Sequence, residues 1–340
     1  MKKWNFGLIG CGSIGDFHMQ AIHELDHAEL VMVCARKQER AQEVGSRERC
    51  DWTTDIDELL VRPDVDIVTV TTSSGSHAEI GMKVLEAGKH LMVEKPMAMN
   101  AEDAERMIRM AEQKGLTIAV VSQRRFEPQH MAAYEAVISG KLGKLLMIEA
   151  SCPFYRDQSY YDSAAWRGTI DQDGGAMMNQ GIHSLDLMLW VSGSAVRTVY
   201  GKTATRTHQM EAEDIGAALL QFENGTLGSF KASTSIVPGF PPALTVYGEH
   251  GTVKVEGASI THWSVPGMPE PQLSSESGAG GGVSDPKSIS TEYHRLQIAD
   301  MLDALSDGRE PMITGRDGAA AVRVIEAIYR SSKEGKEIIL

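Results

Sequence analysis

Three groups of residues in this chain have types and spacings that could do chemistry. The first is Gly10-Cys11-Gly12-Ser13-Ile14-Gly15, a G-x-G-x-x-G that follows an apolar run and opens an amphipathic one. The first glycine permits a tight turn, the second lets backbone approach a pyrophosphate, and the third packs helix on strand. The helix start then faces an anion with unpaired N–H groups at Ser13 and Ile14. About 20 residues on, an acidic side chain would select a ribose 2′-hydroxyl. Ala35 stands there, followed by Arg36 and Lys37. Nothing repels a 2′-phosphate, and Arg36 can pair with one and stack on adenine, so NADP is favoured, with NAD as the other candidate.

The second group is Glu94-Lys95-Pro96, directly after an apolar strand-like run. In an open parallel sheet the carboxyl ends of strands are where ligands bind. An ammonium there can polarise a hydroxyl and stabilise alkoxide character as hydride leaves. Pro96 restricts Lys95 to an extended conformation. The third group is Asn179 and His183, four residues apart, which a helix would bring to one face. An imidazole with a pKa of about 6.5 suits removal and return of a hydroxyl proton. Asn179 can orient but cannot transfer a proton. Asp186 can accept from the imidazole or pair elsewhere in the helix. Upstream, Tyr155, Arg156, Tyr160, Tyr161, Trp166 and Arg167 put aromatic rings and guanidinium groups into a polar stretch. Such a cluster can stack on a sugar ring or clamp a carboxylate or phosphate.

The elements that must position these groups fall into two patterns. Up to about residue 123, five apolar strand-like runs (6–9, 30–34, 66–71, 90–94 and 117–121) alternate with helical stretches. That is the pattern of a doubly wound parallel sheet covered on both faces, a Rossmann domain over 1–123. Beyond it, a helix near 129–139 precedes runs at 145–151, 196–205, 215–222, 226–234, 243–247 and 252–255, with Asn224-Gly225 as a hairpin signal. One helix, 174–191, interrupts them, and two more, near 292–306 and 317–332, follow. The expected product over 124–340 is an α+β domain on a mostly antiparallel open sheet, for substrate binding and oligomerisation. Residues 278–282 lie in a Ser/Gly-rich loop.

Composition narrows the partners. A formal charge of −13 argues against general nucleic-acid or anionic-membrane binding. No apolar run is long enough to span a bilayer, and no signal segment precedes the first strand, so a cytoplasmic enzyme is expected. Cys11, Cys34, Cys50 and Cys152 show neither disulfide nor zinc-site spacing, and no metal is expected.

Taken together, the glycine loop, His77, the run Ala87-Gly88-Lys89-His90-Leu91-Met92-Val93-Glu94-Lys95-Pro96 and Gly174-Gly175-Ala176-Met177-Met178-Asn179-Gln180-Gly181-Ile182-His183 resemble the Gfo/Idh/MocA family. That family of dehydrogenases includes glucose–fructose oxidoreductase and inositol dehydrogenase. The resemblance runs from about residue 5 to the C-terminus and is carried most specifically by E-K-P. It implies hydride transfer between nicotinamide and a secondary alcohol or ketone of a sugar, sugar derivative or cyclitol. Lys95 would reach both nicotinamide ribose and substrate, and His183 would relay the proton. The family pairs its histidine with an acid four residues earlier, so Asn179 is a departure that places the proton work on His183. The resemblance further implies cofactor contacts from Thr71, Thr72, Ser73, His77 and Glu94. Arg124, in Gln123-Arg124-Arg125-Phe126, would stand with Arg125 at the site's edge, and the chain would form a homodimer or homotetramer. The Tyr160-Tyr161, Trp166-Arg167 and N-Q-G-I-H signatures look most like a branch containing UDP-N-acetyl-glucosaminuronate 3-dehydrogenases. Two other activities share the scaffold: a glycosidase that uses the cofactor with no net redox change, and a silent dinucleotide-binding protein.

Overall fold

The computed structural model describes residues 2–273 and 290–340. The Ser/Gly-rich stretch 278–282 lies outside the described residues. The chain divides into two compact units, Met1–Gln123 with Thr291–Ala319, and Arg124–Ser290 with Ala320–Leu340.

The first unit is a six-stranded parallel sheet. Its strands are β1 (Trp4–Ile9), β2 (Ala28–Cys34), β3 (Asp51–Thr53), β4 (Ile67–Val70), β5 (His90–Val93) and β6 (Ile118–Val120), in the spatial order β3-β2-β1-β4-β5-β6. Every adjacent pair is parallel. Strands β4 and β6 are buried throughout and β5 is buried from Leu91 to Val93, mostly by apolar side chains, as a sheet covered on both faces requires. The order reverses between β1 and β4, and at such a switch point the carboxyl ends of the strands open a crevice for ligands. Sequence periodicity reveals five of these strands. The sixth, β3, is a three-residue edge strand with two exposed residues, too short to show a pattern.

The segment Thr291–Ala319, which sequence alone places in the second half, belongs to this unit. Ile298, Met301 and Leu302 of the helix Glu292–Asp307 sit in the core with Met19, Ile22 and Met92. Gln297 seals the end of β6: its Nε2 donates to the Val120 carbonyl at 2.7 Å and its Oε1 accepts from the Ser122 N–H at 3.1 Å.

The second unit carries β7 (Leu145–Pro153), β8 (Val196–Ala204), β9 (Ile215–Phe222), β10 (Leu227–Ser233), β11 (Ala243–Gly248), β12 (Thr252–Glu256), β13 (Ser259–Ser264) and β14 (Ile338–Ile339). Their order is β13-β12-β11-β7-β10-β9-β8-β14, and only the β7–β10 pair is parallel. Strand β9 alternates strictly: Ala218, Leu220 and Phe222 are buried, whereas Ala217, Leu219 and Gln221 are exposed. One face is therefore packed and the other open. The helix Ile182–Ser192 packs on β7 and β11. The single helix expected over 174–191 is instead two pieces, a π-helical turn Ala176–Gly181 that runs into that α-helix. No helix among the described residues is long and apolar enough to cross a membrane.

Candidate functional site

In the first unit the glycine turn is built as its residues dictate. Gly10 has φ +110°, and a Cβ there would come within 2.7 Å of the Thr71 carbonyl carbon and 2.8 Å of the Thr72 nitrogen. Only glycine fits both the angle and the space. A Cβ on Gly15 would overlap the Gly10 carbonyl oxygen, so the third glycine seats the helix Ser13–His23 on the turn. Gly12 differs: nothing lies within 4 Å of its Cβ direction. It is the N-cap of that helix and supplies no side-chain cap, which leaves the first N–H groups to an anion. These features fit a dinucleotide pyrophosphate. Gly10→Ala is accordingly expected to lower the melting temperature and abolish cofactor binding, whereas Gly12→Ala keeps the fold and loses binding alone. Thermal melts with and without nicotinamide cofactor separate the two.

Thr71 belongs to the turn itself, its hydroxyl donating to the Gly10 carbonyl at 2.6 Å. Thr72 and Ser76 share a 2.7 Å hydroxyl contact, and Ser76 donates to the Ser73 carbonyl. His77 is buried and lies between two carbonyls, with Nδ1 2.8 Å from Pro96 O and Nε2 3.1 Å from Thr72 O. It therefore ties the loop after β4 to the Lys95-Pro96 turn. Burial pushes its pKa down, partly opposed by those carbonyls and Glu94. Ala35 is buried at the end of β2, and Arg36 and Lys37 after it are exposed.

Lys95 leaves the carboxyl end of β5, one residue after a buried polar cluster that the sequence reading missed. Glu94 Oε1 meets His18 Nε2 at 3.0 Å, and Glu94 Oε2 accepts from the Lys95 backbone N–H at 3.2 Å. His18 Nδ1 meets the Thr69 hydroxyl at 3.0 Å, and the His294 ring lies 5.4 Å away, edge to face. Burial raises the Glu94 carboxyl, but His18, His294 and Lys95 outweigh it and hold it at about 2. His18, Glu94 and His294 bring ligand-type atoms within 4.8 Å of one another. Because His18 already spends both ring nitrogens, the group reads as a hydrogen-bonded support for the strand end. The sequence signal was a histidine three residues after Gly15, on the packed face of a helix.

The second unit holds the remaining residues. Asn179 lies in the π turn and His183 is the second residue of the α-helix that follows. The Asn179 amide nitrogen donates to Asp173, and its Oδ1 accepts from Gln180 Nε2 at 2.6 Å, which fixes how the amide is turned. Asp173 is buried and also accepts from the Gly168 N–H at 2.8 Å. It brings a carboxylate beside Asn179 from outside the helical spacing, so no periodicity could reveal it. The Arg167 guanidinium lies over Tyr160 at 4.2 Å and Trp166 at 4.6 Å. Arg156 is buried, 5.6 Å from the Tyr160 ring, with a bond to the Tyr155 carbonyl. Tyr161 shares its hydroxyl with Thr234 at 2.7 Å, and burial raises its pKa. Its ring packs on His208, which is held by the buried Asp214.

The two arginines after β6 are not alike. Arg124 pairs with Glu127 at 3.2 Å, where it and His130 outweigh burial and hold that carboxyl at about 2. Arg125, expected at a site's edge, is instead 2% exposed and grips both oxygens of Asp186 at 2.9 and 2.6 Å. Asp186 is thus bound into the core from the helix that carries His183. Three of the cysteines are poor nucleophiles: burial pushes Cys11, Cys34 and Cys50 up to about 11.

Known proteins share this arrangement over the whole chain. The family described as "Oxidoreductase family, NAD-binding Rossmann fold" matches residues 4–122, and the "GFO/IDH/MocA C-terminal domain" matches residues 130–254. The WlbA dehydrogenase from Bordetella pertussis, solved with NADH and UDP-GlcNAcA, is 33% identical with a TM-score of 0.87, covering 100% of this chain and 99% of that one. Inositol 2-dehydrogenase of Rhizobium meliloti is 26% identical over 98% of both chains. The scyllo-inositol 2-dehydrogenase (NADP(+)) of Bacillus subtilis is 24% identical over 98% of this chain and 95% of its own. With a nicotinamide-type glycine turn in one unit and the N-Q-G-I-H helix on the mixed sheet of the other, this chain belongs to the Gfo/Idh/MocA family of oxidoreductases.

Proposed function

We propose that the chain is a dehydrogenase or reductase acting on a secondary alcohol or ketone of a sugar, sugar derivative or cyclitol. The observation that carries this reading lies in the first unit: the anion-ready turn at Gly12 and the Glu94-Lys95 step both stand at carboxyl ends of strands in one parallel sheet. The first unit would bind the dinucleotide and the second the substrate. When bound, the nicotinamide gives or takes the hydride.

Lys95 holds the carbinol oxygen and stabilises negative charge on it. His183 takes the hydroxyl proton during oxidation and returns it during reduction. Asn179, its amide turned by Asp173, orients substrate without exchanging a proton. Arg167, Trp166, Tyr155, Arg156 and Tyr161, with Arg124, form the recognition surface for ring and anionic substituents. The likeness to WlbA favours a nucleotide-linked sugar acid among the candidates. Screening sugars, inositols and UDP-sugars for change in reduced-nicotinamide absorbance tests the proposal. Turnover of a substrate with no net change would replace it with a cofactor-assisted glycosidase.

The cofactor preference is NADP. Arg36, exposed beside Ala35 with no acid at that position, supports it. Arg36→Ala is expected to lower kcat/KM for NADP by roughly tenfold, the value of a charge-assisted phosphate contact, and to leave NAD nearly unchanged. A wild-type enzyme that prefers NAD would end this part of the reading. The open face of β9, with Leu219 exposed, supports self-association, and the free cysteines suit a reducing, cytoplasmic compartment.

A further inference from the structure

The helical segment that presents Asn179 and His183 starts in an unusual geometry. π turns are rare and are found mostly as single turns at functional positions. Here the first peptide groups of the turn are held by a single residue, Glu213, which immediately precedes Asp214 and β9. The Ala176 N–H donates to the Glu213 carbonyl at 2.8 Å, and the Met177 N–H donates to Glu213 Oε1 at 2.8 Å. The Tyr329 hydroxyl, from the helix Gly315–Glu334, donates to the same Oε1 at 3.0 Å. A Cβ on Gly175 would overlap both the carbonyl and the carboxylate oxygens of Glu213, so the contact needs glycine there. Three residues after Glu213, a Cβ on Gly216 would come within 2.8 Å of Met177 Sδ, so the same strand entrance grips the turn twice.

We propose that Glu213 is a positioning residue: by capping the π turn it sets where Asn179 and, through the helix that follows, His183 are presented. The inference rests on the roles given to those two residues above. The groups facing Glu213 are the Tyr329 hydroxyl from the last helix, the peptide N–H groups of the turn, and the neighbouring Asp214 carboxylate. Burial pushes the Glu213 carboxyl up to about 7, with Asp214 adding to the rise and the Met177 and Tyr329 donors opposing it. Those donors bind the ionised form more strongly, so the cap tightens as pH rises through neutrality. Because the folded pKa is raised, the associated stability is present at acid pH, below the ordinary carboxylate range, and is lost as pH rises through about 7. A tighter cap is thus bought at some cost in global stability.

The test is an amide titration of Met177 in the full chain, followed by ¹⁵N NMR without substrate. Its shift is expected to titrate with a midpoint near 7 in the wild type and to stop titrating in Glu213→Gln, which keeps an acceptor oxygen but no charge. Tyr329→Phe removes one of the two donors and is expected to raise that midpoint. A Met177 amide that does not titrate, or that titrates unchanged in both variants, overturns the proposal. In turnover, Glu213→Ala is expected to lose roughly ten- to a hundredfold in kcat at little change in cofactor KM. Glu213→Gln is expected to recover most of that loss and to flatten the rise of activity with pH. Equal losses in both variants, with a wild-type pH profile, likewise overturn it. If the wild type turns over no nicotinamide with any substrate, the dehydrogenase reading fails, and the amide titration alone still decides whether Glu213 holds the turn.

Discussion

Replacing Lys95 by methionine is expected to lower turnover by at least 10²- to 10³-fold, the loss typical of one electrostatic donor at a developing oxyanion. Methionine keeps the length and apolar stem of the lysine and removes only the ammonium. The backbone here is held by contacts that do not use the side chain, although the ammonium also helps keep the Glu94 carboxyl ionised. Glu94 holds the position through the Lys95 backbone N–H, and His77 holds Pro96 through its carbonyl. Cofactor affinity should therefore change little, and cofactor titration beside steady-state kinetics reads both effects in one preparation. A fall in kcat and kcat/KM together would mark an interaction made in the transition state. Full activity in Lys95→Met would remove the lysine from the chemistry.

The second large effect is on stability. Arg125 and Asp186 form a bidentate pair with Arg125 2% exposed and Asp186 4% exposed, and the guanidinium also lies 5.4 Å from the Trp190 ring. Trp190 in turn stacks on Tyr134 at 4.1 Å. Arg125→Met leaves a buried carboxylate without its counter-ion, which costs about 3–5 kcal/mol. The double variant Arg125→Met/Asp186→Leu is expected to regain most of this, since an apolar pair of similar volume often matches a buried ion pair. Chemical denaturation of the three proteins decides it. A single variant as stable as the wild type would show that the pair contributes nothing. Because Asp186 follows His183 by three residues on one helix, the single variant should also lose activity.

How legible all this was in the sequence depended on how local each signal is. The Rossmann strands announce themselves because a doubly covered sheet needs apolar runs such as 91–93 and 118–120. Gly10 and Gly15 are legible because they recur at a fixed local spacing between a strand and a helix, although the Gly10 Cβ would meet Thr71 and Thr72 from far along the chain. Lys95 is legible because its strand-end position and its proline are adjacent to it. Asp173 and Glu213 were invisible for the opposite reason. Each acts through a partner brought near by folding, so neither its residue type nor its spacing betrays it. Arg125 shows the converse error: an arginine beside a domain junction suggests a ligand, but its partner is an aspartate 61 residues away. The π turn escaped because it differs from an α-helix only in hydrogen-bond register, which side-chain pattern does not encode.

The assignment of Thr291–Ala319 to the first unit has a consequence for how the protein is made. The strands of that unit are complete by Val120, yet its core still lacks Ile298, Met301 and Leu302, and the end of β6 lacks Gln297. At roughly 5–20 residues per second, a ribosome supplies those residues on the order of 10 s or more after β6 emerges. Through that interval the nascent sheet has an unsealed apolar flank while all the strands of the second unit but the last are being synthesised. The dinucleotide-binding half, although first in sequence, is among the last parts of the protein to be finished.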